Sequence, residues 1–214
     1  GYGNLAMAYS RQGSLSQAVS ALESGIQQVR TPEDRRSLIE FQGNLYLQMG
    51  QPEMAAAAFE KTTDVADPRL AANAWQNLGM AHINRLLALE KRRMDMAESE
   101  YVSGRADILQ KAESSFLRSM EKDPTFFSAF DSYLSVAFEQ GNVEPLIAEL
   151  QKKVDASKDV RSLYGLGKLA MLQNDFQNAS KLLGQAVKSG LEEKVAFLHL
   201  GFCQTQLQIG RAHV

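Results

Sequence analysis

Histidine and cysteine have the widest chemical range of the side chains, and the chain has three histidines (His82, His199 and His213) and one cysteine, Cys203. His199 and Cys203 lie four residues apart, a spacing that suits two metal ligands on one helix face or a nucleophile beside its base. Neighbouring residues supply neither further ligands nor a group to orient the pair. His82 occupies a position that faces a partner helix, so we expect a buried imidazole there. The sequence therefore predicts no metal site and no cofactor.

The carboxylates and glycines do not form a catalytic motif either. Glu192 and Glu193 are adjacent at the expected start of a helix, where negative charge complements the helix dipole. Gly165-Leu166-Gly167 lacks the pattern and the preceding strand of a phosphate-binding loop. We predict that this chain is not an enzyme.

The composition is that of a folded chain without a strong charge bias. Of 214 residues, 44% are hydrophobic, and 23 basic against 25 acidic side chains give a net charge of −2. Nucleic-acid-binding domains usually carry a basic excess, so we expect no nucleic-acid partner. No apolar run is long enough to span a membrane, and we expect a soluble protein of the cytoplasm or periplasm, with alanine runs that suit a bacterial source. The termini, Gly-Tyr-Gly and Arg-Ala-His-Val, lead us to expect a fragment of a longer chain.

One pattern returns at intervals of about 36 residues. Its clearest copy is Trp75, Leu78, Gly79 and His82, which share one face of a helix at about 3.6 residues per turn. Glycine inside a helix costs roughly 1 kcal/mol relative to alanine, so its recurrence indicates a close packing contact. The other copies are Tyr2/Leu5-Ala6/Tyr9, Ile39/Gln42-Gly43/Tyr46, Phe130/Tyr133-Leu134/Ala137, Leu163/Leu166-Gly167/Ala170 and Phe197/Leu200-Gly201/Gln204.

A second pattern follows most copies and has a small residue four positions before a large one. Pro68 and Pro124 end two of these second helices, because proline lacks the N–H that continues a helix. Together the two patterns resemble the tetratricopeptide repeat, with its Trp-x-x-Leu-Gly-x-x-Tyr, Ala-x-x-x-Phe and closing Pro elements. The small and large residues of the second pattern are Ala18/Leu22, Ala55/Phe59, Ala112/Phe116 and Ala179/Leu183.

The resemblance implies an all-α fold, a right-handed superhelical solenoid of antiparallel helix pairs, and it covers nearly the whole chain. We expect a single array over residues 1–214. Its pairs are expected at residues 1–30, 36–67, 72–123, 127–156 and 160–189, with a partial pair at 194–214.

The third pair contains an insertion, expected at residues 85–108, that lengthens its spacing by about 21 residues. Strong helix formers fill it, so we expect an elongated helical hairpin or a lengthened pair. Asp95 with Glu98 resembles a capping box, which predicts a helix start near Met96. The alternative is a turn at Ser103-Gly104. The insertion is either a contact for a partner or for a second copy, or an elaboration that packs on its own repeat.

Tetratricopeptide proteins usually bind peptides or partner helices along the concave side formed by their first helices. Helical geometry places the inward residues opposite the face that packs on the second helix. Asparagine can hold a peptide backbone by donating and accepting together. The predicted peptide-binding groove comprises Glu40, Asn44, Gln48, Asn73, Gln76, Met80, Asn84, Asp131, Ser135, Arg161, Tyr164, Lys168 and Phe202.

Some family members hold the C-terminal carboxylate of a chaperone between lysine, asparagine and arginine side chains. Here Glu40 replaces a required lysine, and Ser128 and Ser132 occupy the basic positions, although Asn44 and Asn77 fit. The sequence therefore argues against a receptor for chaperone tails.

The favoured function is a non-catalytic scaffold that binds a protein or peptide partner in the groove. One alternative is self-assembly into a homo-oligomer through the insertion or through the last helix, where Phe197 and Leu200 lack a partner helix. The other alternative is a substrate-docking arm of a larger enzyme, such as a transferase.

Overall fold

The computed structural model describes residues 1–141 and 143–212, and these residues form α-helices joined by short turns. Within that part of the chain there are eleven α-helices and one 3-10 turn, and there is no strand. The helices are α1 Tyr2–Arg11, α2 Leu15–Gln28, α3 Pro32–Gln48, α4 Pro52–Glu60, α5 Pro68–Lys91, α6 Glu98–Lys122, α7 Phe127–Gln140, α8 Glu144–Ser157, α9 Val160–Leu172, α10 Phe176–Lys188 and α11 Lys194–Ala212, and the 3-10 turn is Arg93–Asp95.

Short polar side chains begin several of these helices. Thr31, Asp67, Asp159 and Asp175 each accept a hydrogen bond from the backbone N–H three residues later, which satisfies a donor that the first helical turn leaves unpaired. Pro145 lies in the first turn of α8, where its missing N–H is not needed, and the helix forms around it. Local sequence therefore marks where these five helices start.

The helices group into two compact units, an N-terminal unit Gly1–Phe130 and a C-terminal unit Asp131–Val214. In the N-terminal unit, successive helices from α1 to α6 pack on one another, and α3 also contacts α5. Fully buried alanines such as Ala55 and Ala112 allow the second helices to approach closely, while Phe59 and Phe116 fill the core.

Two glycines of the first helices make this packing possible. A Cβ atom at Gly43 would lie 2.7 Å from ring carbons of Phe59, and one at Gly79 would lie within 2.8 Å of three ring carbons of Phe116. Each ring therefore occupies the space that a side chain on the first helix would need. The sequence prediction that these glycines serve close helix contacts is confirmed.

In the C-terminal unit, α9 is surrounded by its neighbours. All residues from 162 to 170 are buried, and α9 contacts α8, α10 and α11. Gly167 repeats the arrangement of the N-terminal unit, because a Cβ atom there would lie 2.8 Å from Cγ of Leu183. Both units therefore contain the same contact, in which a large side chain of one helix fills the space beside a glycine of the preceding helix.

The third pair consists of two long helices, α5 with 24 residues and α6 with 25. Near their tip, the Tyr101 hydroxyl donates to Glu90 at 2.7 Å, and the Arg93 guanidinium lies 4.7 Å from the Tyr101 ring centroid. The expected capping box is wrong: Ala97 is the N-cap of α6, and no side chain caps it. The alternative turn at Ser103-Gly104 is also wrong, since α6 runs through both residues.

Candidate functional site

A stripe of exposed and partly buried residues runs along α5 on the side opposite its buried face. Asn73, Met80, Asn84 and Leu87 fall within about 60° of one another around the helix axis and extend over roughly 21 Å of its length. Met80 is 38% exposed and Leu87 54% exposed, whereas Ala74, Leu78 and Ala81 of the same helix are buried. The predicted groove did not include Leu87, although its spacing of seven residues from Met80 is a signal that would have found it.

Helix α3 lies beside α5 and contributes further polar groups. Asn44 and Gln48 are exposed, and Glu40 is partly buried because it pairs with Arg36 one turn earlier. The Asn84 side-chain amide donates to the carbonyl of Met80 at 2.9 Å, which fixes that amide on the stripe. Since α3 and α5 are in contact, we treat the α5 stripe and the exposed amides Asn44 and Gln48 as one candidate surface and call it the α3–α5 face.

Gln76 has a different environment from its neighbours on α5. It is 7% exposed, and its Nε2 donates to Oγ of Ser128 at 3.2 Å. Both residues belong to the N-terminal unit, so this contact joins α5 to the start of α7. Gln76 is therefore a packing residue in this structure, and a ligand would not contact it without rearrangement.

In the C-terminal unit the predicted groove residues converge on one carboxylate. Nζ of Lys168 donates to the Asp131 carbonyl at 2.6 Å and to its Oδ1, and the Tyr164 hydroxyl also donates to Oδ1. The Tyr164 oxygen lies 3.0 Å from Nδ1 of His199, and the two rings are stacked. Since the single tyrosine proton goes to Asp131, Nδ1 of His199 donates the remaining hydrogen bond.

Burial governs the protonation of this cluster. Burial lowers the pKa of Lys168, against the raising effect of Asp131, and it raises the pKa of the Tyr164 hydroxyl, together with the adjacent Asp131 charge. Burial and then the Lys168 charge lower the pKa of His199. Tyr164 has no exposed surface and Lys168 is 3% exposed, so neither offers area to a ligand in this conformation.

The other predicted residues of this unit are closer to solvent. Ser135 and Arg161 are partly buried, and Ser135 Oγ lies 3.5 Å from the Asp131 carbonyl. Phe202 is 49% exposed, and its ring meets Phe176 edge to face at 5.9 Å between centroids. Phe202 is therefore the apolar side chain of this set that a partner could cover.

His82 is buried, as the sequence predicts, and it lines a cavity of about 500 Å³ together with Trp75, Arg85 and Lys111. Arg85 Nη1 lies 3.2 Å from Nδ1 of His82. Because a guanidinium only donates, Nδ1 must be the acceptor of a neutral imidazole. Burial, followed by the charges of Arg85 and Lys111, lowers the pKa of His82 to about 4.

The described residues contain no group of three or more His, Cys, Asp or Glu side chains that could hold a metal. Cys203 is buried, and burial raises the pKa of its thiol, which disfavours the reactive thiolate. His213 lies outside the described residues.

Residues 42–104 match the family model of the tetratricopeptide repeat. This segment contains the Gly43/Phe59 contact and the copy around Gly79, so the family pattern and the packing agree. Residues 42–104 of the chain thus carry the tetratricopeptide repeat. A search of curated proteins finds no match.

Solved structures share the fold at low sequence identity. The thermophilic tetratricopeptide protein TTC0263 of Thermus thermophilus aligns with a TM-score of 0.54 and 11% identity, covering 95% of this chain and 97% of TTC0263. YrrB, described as a tetratricopeptide protein with an unusual peptide-binding site, aligns at 0.50 and 13%, covering 92% and 88%. The human IFIT1 dimer with m7Gppp-AAAA aligns at 0.64 and 14%, covering 99% of this chain and 46% of IFIT1.

These likenesses show the fold: an all-helical arrangement of helix pairs. In residues 1–141 and 143–212, no helix combines the length and the apolar character needed to cross a membrane.

Proposed function

We propose that the chain is a non-catalytic protein-interaction scaffold and that its α3–α5 face binds a peptide or a partner helix. The observation that carries this proposal is the stripe on α5, where exposed Met80 and Leu87 alternate with amide side chains on the side of the helix opposite its buried face. A helix whose outer face needed only to be hydrated would not require two large apolar side chains seven residues apart.

The chemistry of the face suits a polypeptide. Methionine is unbranched and polarizable, so Met80 can adapt to ligand side chains of different shapes. Asn44 and Asn73 are exposed, and an amide can accept from a peptide N–H and donate to a peptide carbonyl. Burial of Met80 and Leu87 would supply affinity, while the amides would set the direction of the bound chain.

The charge of the chain favours a polypeptide ligand over a nucleic acid. YrrB has the same fold and is described as having a peptide-binding site. IFIT1 was solved with m7Gppp-AAAA, but the stripe from Asn73 to Leu87 presents no cation, and the chain has a net charge of −2. Phosphate binding depends on clustered Lys and Arg.

The proposal is tested by selecting peptides from a displayed random library on the immobilised chain and measuring their affinity by calorimetry. Met80→Glu places a charge within the face and should weaken the selected peptides by tenfold or more. Met54→Glu is the matched control, because Met54 is 50% exposed on α4, away from the face. Circular dichroism checks that both variants remain folded.

Peptides that bind the two variants equally would show that the ligand does not use the α3–α5 face. A parallel titration with the RNA oligomer AAAA carrying a 5′ triphosphate tests the other ligand class. The proposal would be overturned if the RNA binds to the chain, Met80→Glu abolishes that binding, and the selected peptides do not compete with the RNA.

A further inference from the structure

One position of the repeat carries an exposed side chain on each of three successive first helices. It lies five residues after the large residue that opens each copy, and it is Met7 on α1, Asn44 on α3 and Met80 on α5. Met7 is 44% exposed, Met80 is 38% exposed, and Asn44 is exposed as well. These three residues are named here the Met7–Met80 row.

The three helices adjoin one another within the N-terminal unit, where α3 contacts both α1 and α5. The side of α1 that carries Met7 lies toward α3, because a Cβ atom on Gly3, one turn earlier, would lie 3.5 Å from Cδ2 of Leu38. The row therefore runs across the helices rather than along one of them. Its exposure belongs to the repeat position itself, since α3 and α5 are each packed between a preceding and a following helix.

Helix packing sets the length of the row. Packed helix axes lie about 8–10 Å apart, so the two steps from Met7 to Met80 cover roughly 16–20 Å. An extended chain rises about 3.3 Å per residue and turns every second side chain to the same face. Two side chains on one face of such a chain lie about 20 Å apart when they are separated by six residues.

The centre of the row offers hydrogen bonds to a peptide backbone. Asn44 lies between the two methionines, and its side-chain amide makes no hydrogen bond to any other residue in 1–141 or 143–212. Such an amide can accept from an N–H and donate to a carbonyl of one ligand. An extended chain presents both backbone groups unpaired, whereas a helix bonds them internally. The row therefore suits an extended peptide better than a helix.

One end of the row carries a cation. Arg11 lies one turn after Met7 on the same face of α1, and it is exposed and makes no ion pair with any residue that the structure describes. Glu40, the carboxylate that α3 contributes to the predicted groove, already pairs with Arg36 at 2.5 Å. A carboxylate on the ligand, next to its apolar residue, would complement Arg11.

We propose that the Met7–Met80 row binds an extended peptide that crosses α1, α3 and α5. Two apolar side chains of the peptide, six residues apart, cover the two methionines, and its backbone bonds to Asn44 between them. An acidic residue beside the apolar residue on Met7 pairs with Arg11. This inference rests on the function proposed above, because it uses Met80; it adds Met7 and Arg11 to the binding surface and specifies an extended ligand.

The probe is a fluorescein-labelled peptide of nine residues, with leucine at its first and seventh positions, glutamate at its eighth, and serine or threonine elsewhere. A second peptide has the reverse sequence, because the chain can cross the helices in either direction. Fluorescence anisotropy measures the binding of each to the full chain, and the tighter one is used with the variants. A stapled helical peptide with two leucines seven residues apart, matching Met80 and Leu87 along α5, is the alternative probe.

Met7→Gln is the first test, because glutamine keeps the length of the side chain but removes its apolar end. It should weaken the extended peptide about fivefold or more. Leu5→Gln is the matched control: Leu5 is 46% exposed on the same helix, but it lies about 200° around the axis from Met7 and lines a cavity with Gln17 of α2. This control should leave binding unchanged, and circular dichroism checks that both variants are folded.

Arg11→Glu is the second test, and it is read as a change of preference. The wild-type chain should bind the glutamate peptide at least twofold more tightly than a peptide with lysine in its place, as expected for an exposed ion pair. Arg11→Glu should reverse that order. A damaged fold would weaken both peptides and would not exchange them.

Three results would overturn the inference: no binding of either extended peptide, equal binding by Met7→Gln and Leu5→Gln, or a glutamate preference that survives Arg11→Glu. The stapled helix separates such a failure from failure of the proposed function. If the helix binds, Met80→Glu weakens it and the extended peptides do not bind, the α3–α5 face is supported and the Met7–Met80 row is refuted. If Met80→Glu affects neither these probes nor the selected peptides, both proposals are refuted.

Discussion

His82 should make the N-terminal unit less stable as the pH falls through the range from about 7 to 4. Its imidazole is 8% exposed, accepts a hydrogen bond from Arg85, and has a pKa lowered from 6.5 to about 4 by burial and by the charges of Arg85 and Lys111. Asp107 acts in the opposite direction but more weakly. The folded state therefore keeps His82 neutral at a pH where the unfolded chain protonates it.

The sign and size of the effect follow from this difference in proton binding. Where the unfolded state binds more protons, stability rises with pH and falls on acidification. The pKa of His82 in the unfolded chain is about 6.5, so pH 5 lies about 1.5 units below that pKa. At about 1.36 kcal/mol per unit, protonation then favours the unfolded state by about 2 kcal/mol. The loss is absent above pH 7 and complete only below the folded pKa.

The assay is urea unfolding at pH 7.5 and pH 5.0, followed by the fluorescence of Trp75, the single tryptophan, which lines the same cavity as His82. His82→Gln is the comparison variant, because glutamine keeps an acceptor for Arg85 but does not titrate. The wild-type chain should lose about 2 kcal/mol more than the variant between the two pH values. Other titrating groups, including His199, are common to both proteins and cancel. An equal loss in both proteins would refute the buried neutral imidazole.

Four further substitutions test the packing and the buried charges by urea unfolding. Gly79→Ala should destabilise the chain by about 1 kcal/mol, since overlap with Phe116 outweighs the better helix propensity of alanine. Gly201→Ala should instead leave stability unchanged or raise it by up to about 1 kcal/mol, because a Cβ atom there meets nothing within 4 Å and alanine favours the helix. A loss as large as that of Gly79→Ala would contradict these open surroundings. Lys168→Met should cost about 3 kcal/mol, because Asp131 would keep a partly buried charge without its cation. Adding Asp131→Asn should recover much of that loss, and no recovery would show that the ion pair is not the cause.

The helix pairs could be predicted because their signals are local. A glycine or alanine at a fixed position of a helix reports a close neighbour whatever the distant sequence is, and Gly43, Gly79 and Gly167 all proved to be such contacts. Cap residues likewise act within one turn. The prediction that Pro68 ends the second helix is wrong, because α4 ends at Glu60 and Pro68 instead begins α5, where its missing N–H is not needed. The pattern of repeats therefore carried most of the information about the fold.

The surroundings of the predicted groove residues could not be obtained in the same way. Helical periodicity places Tyr164 and Lys168 on the inward side of α9, but their burial depends on Asp131, more than 30 residues away in sequence. A single sequence does not show that such distant side chains meet. The same limit applies to Gln76, which Ser128 binds across 52 residues.

The start of α6 illustrates a different limit. Asp95 and Glu98 have the spacing of a capping box, yet the helix starts after Ala97 without a side-chain cap. Contacts at the tip join Tyr101 to Glu90 and Arg93. The helix begins at Glu98, within two residues of the predicted start near Met96, so the spacing located the helix start although the side-chain cap does not form.

The length of the α5–α6 hairpin also bears on how the chain folds. Gly79 and Phe116 are more than twice as far apart in sequence as Gly43 and Phe59. Closing a flexible loop costs about 0.6 kcal/mol for each doubling of its length, so direct closure of this pair would be slower. The tip offers a shorter route, because Tyr101 and Glu90 are separated by 11 residues. Once the tip has formed, each further turn of the two helices brings the next contact close, and the pair can zip from its tip down to Gly79. The extension thus converts the most distant glycine contact of the N-terminal unit into a late step of a local process.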